Sequence, residues 1–274
     1  MTLFAKHRET TSHVDDAPPS LDDVLRQSGV SLSAEQMVQL SAYRDLLFTA
    51  NQTTNLTAVR DLSGIERRLI LESLRLVAPI EALVHPVDGR RRSLIDLGTG
   101  GGLPGLVLTI ACPDLNVFLL DATGKKIAFL DEVVQTLALR NTTTIHARAE
   151  EIGHQPRYRN GFDIVTARAV STLPSLIELG LPLLRHGGHL VMPKGVNIDD
   201  ELVAGERAAT IVGGAIVSSD LLTDSGSTID TRLVIARKMS PTSSTFPRRS
   251  GIPSKSPLGV DAIVGTVHHG SEAT

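Results

Sequence analysis

"LIDLGTGGGLPGLVLTI", residues 94–110, sets five glycines within eight positions between two apolar runs. Glycine at that density weakens strand and helix alike, so it belongs where a chain turns sharply or lets a ligand approach its backbone. "SLIDL" (93–97) reads as a strand, and Leu103 to Ala111 as a helix stopped by Pro113. Strand, glycine-rich turn and helix form the layout that holds a nucleotide-like ligand at a first βα junction. Gly98, Gly100 and Gly102 are expected to let the backbone turn and approach that ligand. N–H groups at the helix start are expected to offer donors to an anionic group.

The phase of the glycines narrows the ligand. A dinucleotide site follows G-x-G-x-x-G. Here Gly98-x-Gly100-x-Gly102 fits, but the last glycine of that pattern would fall on Leu103. G-x-G-x-G after an Asp-bearing apolar strand is typical of S-adenosylmethionine (SAM) methyltransferases, whose cofactor has adenosine and a carboxylate but no pyrophosphate. Asp121 closes the next apolar run, 23 residues after Gly98. An acid there can accept hydrogen bonds from both ribose hydroxyls.

Outward from this stretch, short apolar runs alternate with helical patterns. "NVFLLD", "TTTIHA", "FDIVTARAV" and "GGHLVMPKG" read as strands two to five. "GKKIAFLDEVVQTLAL" reads as an amphipathic helix, and another helix follows the fourth strand through Leu184. "TIVGGAIVSS" and "DTRLVIARK" read as a closing antiparallel pair. The expected fold class is therefore α/β: a mostly parallel, doubly wound, Rossmann-like sheet over residues 92–238 with an antiparallel edge.

Ahead of the sheet, residues 20–85 read as a small helical unit. Ser33 with Gln36 makes a capping box before "SAEQMVQLSAYRDLLF", and Ser63 with Glu66 a second before "IERRLILESLRLV". Ile65, Leu69 and Leu74 mark one face of that second helix, and "NQTTNLTAV" (51–59) breaks the two. The first 18 residues are expected to be disordered. Residues 239–274 are expected to form a basic, Pro- and Ser-rich tail.

Composition sets limits. The chain has 274 residues, 41% hydrophobic and 21% charged, with a net charge of −3. It is not a polycation, so nucleic-acid contact must come from a local patch. With no Trp, two Tyr and six Phe, an aromatic platform for base stacking is disfavoured. One cysteine, Cys112, excludes a disulfide framework and a cysteine-rich zinc site and suits a reducing cytoplasm. Cys112 reads as a small core residue. No apolar run reaches the length of a membrane span, no metal site is expected, and His268 with His269 is too short a cluster to make one.

"NLTAVRD", "DLGTGGGLPGLVL", "LLDATGKKIAFLDEVVQTLAL", "ARAEEI" and "FDIVTARAVSTLPSLIELGLPLLRHGGHLVMPKG" follow one another from about Leu40 to Lys238. In order and spacing they resemble the RsmG (GidB) family, and "FPRRSGIPSKSPLG" resembles the basic ending of many of its members. The resemblance implies a class I SAM-dependent enzyme that methylates guanine N7 in small-subunit (16S) ribosomal RNA. It implies cofactor contacts at Gly98, Leu103, Ala149, Glu150 and Arg168. The chain departs from the family at Ala50, where Trp is usual, and at Leu69, where His is usual.

Guanine N7 carries a lone pair and no proton, so in-line attack on a sulfonium methyl needs no general base; positioning suffices. Arg168 is assigned to cofactor or guanine, Lys194 to RNA phosphate or guanine O6, and Asn55 to a base or a cofactor lid, with a loop-bracing asparagine equally open. Expected RNA contacts are Arg67, Arg68, Lys125, Lys126, Arg248, Arg249 and Lys255. The expected partner is 16S rRNA or the small subunit, the expected state a monomer. The alternatives are a SAM enzyme acting on a small molecule, an NAD(P)-dependent oxidoreductase, and a non-catalytic RNA-binding protein.

Overall fold

The computed structural model describes residues 28–83, 90–168, 171–222 and 230–260. The first 18 residues, with His268 and His269, lie outside the described residues. Five strands run parallel: β1 (Arg92–Leu97), β2 (Leu115–Asp121), β3 (Thr142–His146), β4 (Phe162–Ala167) and β5 (Leu184–Lys194). Two more, β6 (Gly214–Leu221) and β7 (Arg232–Lys238), complete a sheet ordered β3-β2-β1-β4-β5-β7-β6. β7 is antiparallel to both its neighbours, which is the antiparallel edge expected from sequence. The chain steps from β1 to β2 on one side and to β4 on the other. The gap beyond the carboxyl ends of β1 and β4 is thus a topological switch point, where open α/β sheets bind ligands.

Both faces of the sheet are covered, which is why β4 is buried at all six positions. One face packs α1 (Ala34–Ala50), the helical run from Leu62 to Leu74, α4 (Val77–Leu83), α5 (Gly105–Ala111) and α6 (Gly124–Thr136). The other packs α7 (Ala149–Ile152), α8 (Leu173–Gly180) and α9 (Asp199–Val212). The helical unit read over residues 20–85 shares a core with the sheet: Leu40, Tyr43, Leu47, Ile65 and Leu74 join Leu94, Leu106 and Val117 in one apolar cluster.

Three local expectations are corrected. Asp61, not Ser63, caps the second helical run: its carboxylate accepts the Gly64 N–H (2.7 Å). α2 (Leu62–Gly64) then widens to a π-helix over Ile65–Leu71 and closes as α3 (Glu72–Leu74). The helix after β4 stops at Gly180, with a 3-10 turn over Leu181–Leu183 before β5. Thr210 to Val212 belong to α9 rather than to a strand; Gly213, at φ +94°, ends that helix in the left-handed conformation. Its acidic first turn, Asp199-Asp200-Glu201, is a helix-start signal that the sequence carried and the strand reading passed over.

The glycine stretch is built around a buried acid. Asp96, fully buried at the end of β1, accepts hydrogen bonds from Thr99 Oγ1 (2.6 Å), the Gly105 N–H (2.9 Å) and Thr166 Oγ1 (3.0 Å). One carboxylate ties the turn, the start of α5 and β4 together. Gly98, Gly100 and Gly102 all have φ between +60° and +99°, the left-handed region that disfavours other residues. Gly105 is excluded from having a side chain differently: a Cβ there would lie 2.3 Å from Leu119 and 2.9 Å from Asp96.

Burial pushes the Asp96 carboxyl up to about 6 from 3.8, against the downward pull of its three hydrogen bonds and of Arg168. A carboxyl raised on folding holds a proton in the native chain that the unfolded chain has released. The contribution of Asp96 to stability therefore falls as pH rises from about 4 to about 6 and flattens above. In Asp96→Asn that contribution is gone. Urea unfolding across pH 4–7 should show wild-type stability falling relative to the variant by roughly 3 kcal/mol; a difference independent of pH would contradict this origin.

Candidate functional site

Strand register aligns the site. Leu97 pairs with Ala167 on one side and Leu120 on the other, and Asp121 pairs with His146. One step past those pairs, Arg168, Gly98 and Asp121 stand side by side across β4, β1 and β2, with Ala149 and Glu150 following β3. Gly98 is exposed, so the turn offers main chain rather than side chain to the cleft.

The turn's helix-start donors are already engaged. The Gly105 N–H goes to Asp96, Leu106 N–H to Gly102 O (2.7 Å), and Leu103 and Gly102 N–H to Thr99 O (2.9 Å each). The expected anion donors at the helix start are thus corrected: the protein uses them itself. A pyrophosphate would need them free, and a cofactor without one would not.

Asp121 faces the same turn. Oδ2 accepts the Gly100 N–H (3.0 Å), Oδ1 accepts the Thr123 N–H (2.8 Å), and Lys126 Nζ lies 3.6 Å away. Each oxygen retains a second lone pair. Leu103 is buried beneath the turn, and Lys125 is exposed at its rim.

The helical unit roofs the turn. Tyr43, fully buried on α1, donates its hydroxyl to Gly101 O (2.9 Å), and burial holds that phenol protonated far above its ordinary range. The Leu56 carbonyl would lie 3.5 Å from a Cβ on Gly100, so the 51–59 loop rests directly over the glycines. Asn51 shapes that loop: its Oδ1 accepts from Leu56 and Thr57 N–H (3.1 and 3.0 Å) and its Nδ2 donates to Val59 O (2.7 Å). Asn55 is exposed and accepts from Arg60, so the loop-bracing asparagine is Asn51. Sequence reading passed over Asp96, Tyr43 and Asn51 as site residues. An acid inside the apolar run 94–97 was the available signal for the first; nothing local marked the other two.

Arg168 is half-buried. Burial lowers its guanidinium below the usual range, while Asp96, Tyr43 and Glu72 act the other way. Glu72 is itself held by Arg75 (2.8 Å) and Thr231 (3.0 Å). Leu69 is 8% exposed within the apolar cluster, so the position where the resemblance has His is here part of the core.

The structure separates the other cations by role. Lys194 pairs with Glu201 (2.9 Å) and donates to Ser171 O (3.2 Å); Glu201 also accepts the Leu173 N–H (2.7 Å). Lys194 therefore clasps Ser171 and the start of α8 instead of pointing into solvent. Arg248 grips Glu178, which is fully buried, through Nε (2.9 and 3.1 Å) and Nη2 (2.6 Å). The expected RNA contact at Arg248 is corrected on that ground: a buried carboxylate needs its cation. Arg68, Arg249 and Lys255 are exposed and Arg67 is half-buried. Cys112 is buried, and burial, with Glu81 and Asp114 nearby, pushes its thiol up to about 12. The cavity it lines, about 430 Å³, lies beside Arg90 and Leu115 at the amino ends of the strands, away from the switch point. Among the described residues no cluster of three His, Cys, Asp or Glu could hold a metal, and no helix is long and apolar enough to cross a membrane.

This geometry can be set beside known proteins. The GidB family model, described as rRNA small subunit methyltransferase G, matches residues 36–225. A Roseiflexus castenholzii protein named ribosomal RNA small subunit methyltransferase G is 41% identical over 87% of this chain and its own full length. A Chloroflexus aggregans protein of the same name is 42% identical, over 84% of this chain and 93% of its own. Among solved structures, the antibiotic-resistance methyltransferase Kmr aligns with a TM-score of 0.44 and 22% identity, covering 59% of this chain and 93% of that one. With a family match across the helical roof, the glycine turn and the sheet, the chain belongs to the rRNA small subunit methyltransferase G family.

Proposed function

We propose that this chain transfers a methyl group from SAM to N7 of a guanine in 16S rRNA. The family makes it a SAM-dependent rRNA methyltransferase; the atom methylated and the roles of individual residues are our reading. The observation that carries it is the bare glycine turn at the β1–β4 switch point, with Asp121 on one flank and Arg168 on the other.

SAM, when bound, supplies an electrophilic methyl group on a sulfonium sulfur. Gly98, Gly100 and Gly102 would line its amino-acid end with main chain, and Leu103 would lie beneath. Asp121 would accept the ribose hydroxyls on its remaining lone pairs. The main chain at Ala149 and Glu150 would flank the adenine. These residues fit that group, because the helix-start donors a pyrophosphate requires are engaged by Asp96 and the turn. The same point weighs against the oxidoreductase alternative.

An unprotonated N7 asks nothing of a base. The groups around the cleft agree with that demand: Asp96 is buried and fully bonded, Tyr43 is buried and donating to main chain, and Arg168 is a cation. Arg168 would orient guanine or cofactor through its donors, and the work is positioning and electrostatics. Arg67, Arg68, Lys125, Arg249 and Lys255 would meet phosphates, an interaction that weakens steeply with salt. Lys126 would serve next to Asp121.

Two measurements test this reading. Isothermal titration should detect SAM binding by the wild-type chain, with affinity reduced roughly 10²-fold in Asp121→Ala, since two charge-assisted hydrogen bonds are lost. Labelled SAM should methylate small ribosomal subunits or 16S rRNA, with the label recovered as 7-methylguanosine, and Arg168→Met should slow transfer roughly 10²-fold. Label recovered in any other nucleoside, or only in a small molecule, would refute the assignment.

A further inference from the structure

Residues 239–260 were expected to trail as a tail; they lie against the body as a strap. β7 runs opposite to the parallel strands, so it ends at Lys238 near the start of β5. From there the strap climbs along the α7–α8 side toward the carboxyl ends of the strands. Arg159 anchors its lower part, donating to Thr242 O and Ser243 O (2.9 Å each), to Phe246 O (2.7 Å) and to Gly153 O (2.7 Å). Lys238, almost fully buried, donates to Leu181 O (2.8 Å) and to Thr242 Oγ1. Higher up, His154 donates to Pro247 O (2.7 Å) and Ser175 to Pro253 O (2.7 Å). Between these lie the Arg248–Glu178 pair and the Gly251 N–H, which donates to Glu150 Oε1 (2.9 Å).

That last bond reaches the proposed cofactor site. Glu150 opens α7, directly after the turn that follows β3. Its carboxylate is turned to the strap, which leaves the main chain of Ala149 and Glu150 for the cofactor. Gly153, one helical turn on, has an ordinary helical φ of −61° but no room for a side chain: a Cβ would lie 2.5 Å from Pro247 Cγ. The turn and the strap are thus fitted to each other at two points, and the fully buried Glu178 carboxylate depends on the strap for its cation.

We propose that the strap is a positioning element of the cofactor site: through Gly251, Pro247 and Arg248 it fixes the Ala149–Glu150 turn, so SAM affinity depends on strap docking. This rests on the reading that the turn flanks the adenine. By linkage, whatever makes the docked strap favour SAM makes bound SAM favour the docked strap.

Gly153→Ala tests the idea because alanine suits the backbone there: its Cβ would clash with Pro247 at 2.5 Å, while its other near neighbour, the Ala149 carbonyl oxygen, lies 3.3 Å away and faces the helical turn. Arg248→Glu sets a carboxylate against Glu178 and expels the strap outright. In both, trypsin should cut at Arg249 sooner than in wild type, and the SAM Kd should rise at least tenfold. In Gly153→Ala, kcat at saturating SAM should stay within twofold of wild type, as expected of a residue that acts only on binding. Earlier cleavage with Kd within twofold of wild type would overturn the proposal, as would an undisturbed strap in both variants. Should Arg248→Glu fail to fold, hydrogen exchange on the wild-type chain carries the test: saturating SAM should slow exchange at the Gly251 amide, and an unchanged rate refutes the coupling. Wild type that binds no SAM would instead refute the cofactor reading itself. Wild-type binding that Asp121→Ala weakens as expected, with both strap variants unaffected, would refute the strap alone.

Discussion

One buried carboxylate organises the proposed active end of this molecule. Asp96 sits where β1 stops, out of reach of water, and three donors from three parts of the chain converge on it. Burying a charge without such partners is costly. The turn that supplies two of the donors is held as closely as the acid is. The glycines then adopt left-handed conformations that the surrounding hydrogen bonds dictate. Above the turn, Tyr43 and the loop shaped by Asn51 close over it from a helical unit that shares the sheet's core. The bare turn is therefore rigid, which suits a site whose proposed chemistry consists of placing two reactants in line.

The sheet, and with it the switch point where a ligand is proposed to bind, was legible in sequence because each βα unit announces itself locally. Short apolar or β-branched runs, punctuated by glycine or polar turns, suffice to place β1 to β4. Gly98-x-Gly100-x-Gly102 with Leu103 favoured the right cofactor class through phase alone. The errors have physical sources. Ser63 and Glu66 satisfy a capping pattern, but Asp61 lies closer to the true start of the helical run and its carboxylate makes the bond. Thr210-Ile211-Val212 is β-branched and reads as strand, yet the acidic turn at 199–201 and the left-handed Gly213 make it the end of a helix.

Side-chain roles were less legible, because they depend on partners far apart in sequence. Arg248 looks like any cation in a basic tail until Glu178 is found fully buried opposite it. Lys194 follows a strand end toward the cleft and turns instead to Glu201. Tyr43 and Gly101 are 58 residues apart, and no periodicity connects them. Family resemblance supplied the positions proposed to meet the cofactor, while the structure decides which cations are spent internally and which face solvent.

The direction of β7 has a consequence in time. Because that strand descends, the segment after it must cross the whole flank of the sheet to meet Glu150. During translation every strand of the sheet is made before this segment exists. The last clamp is thus the last part of the described chain to be delivered to the scaffold, so the proposed donor pocket would mature after the sheet and roof that carry it.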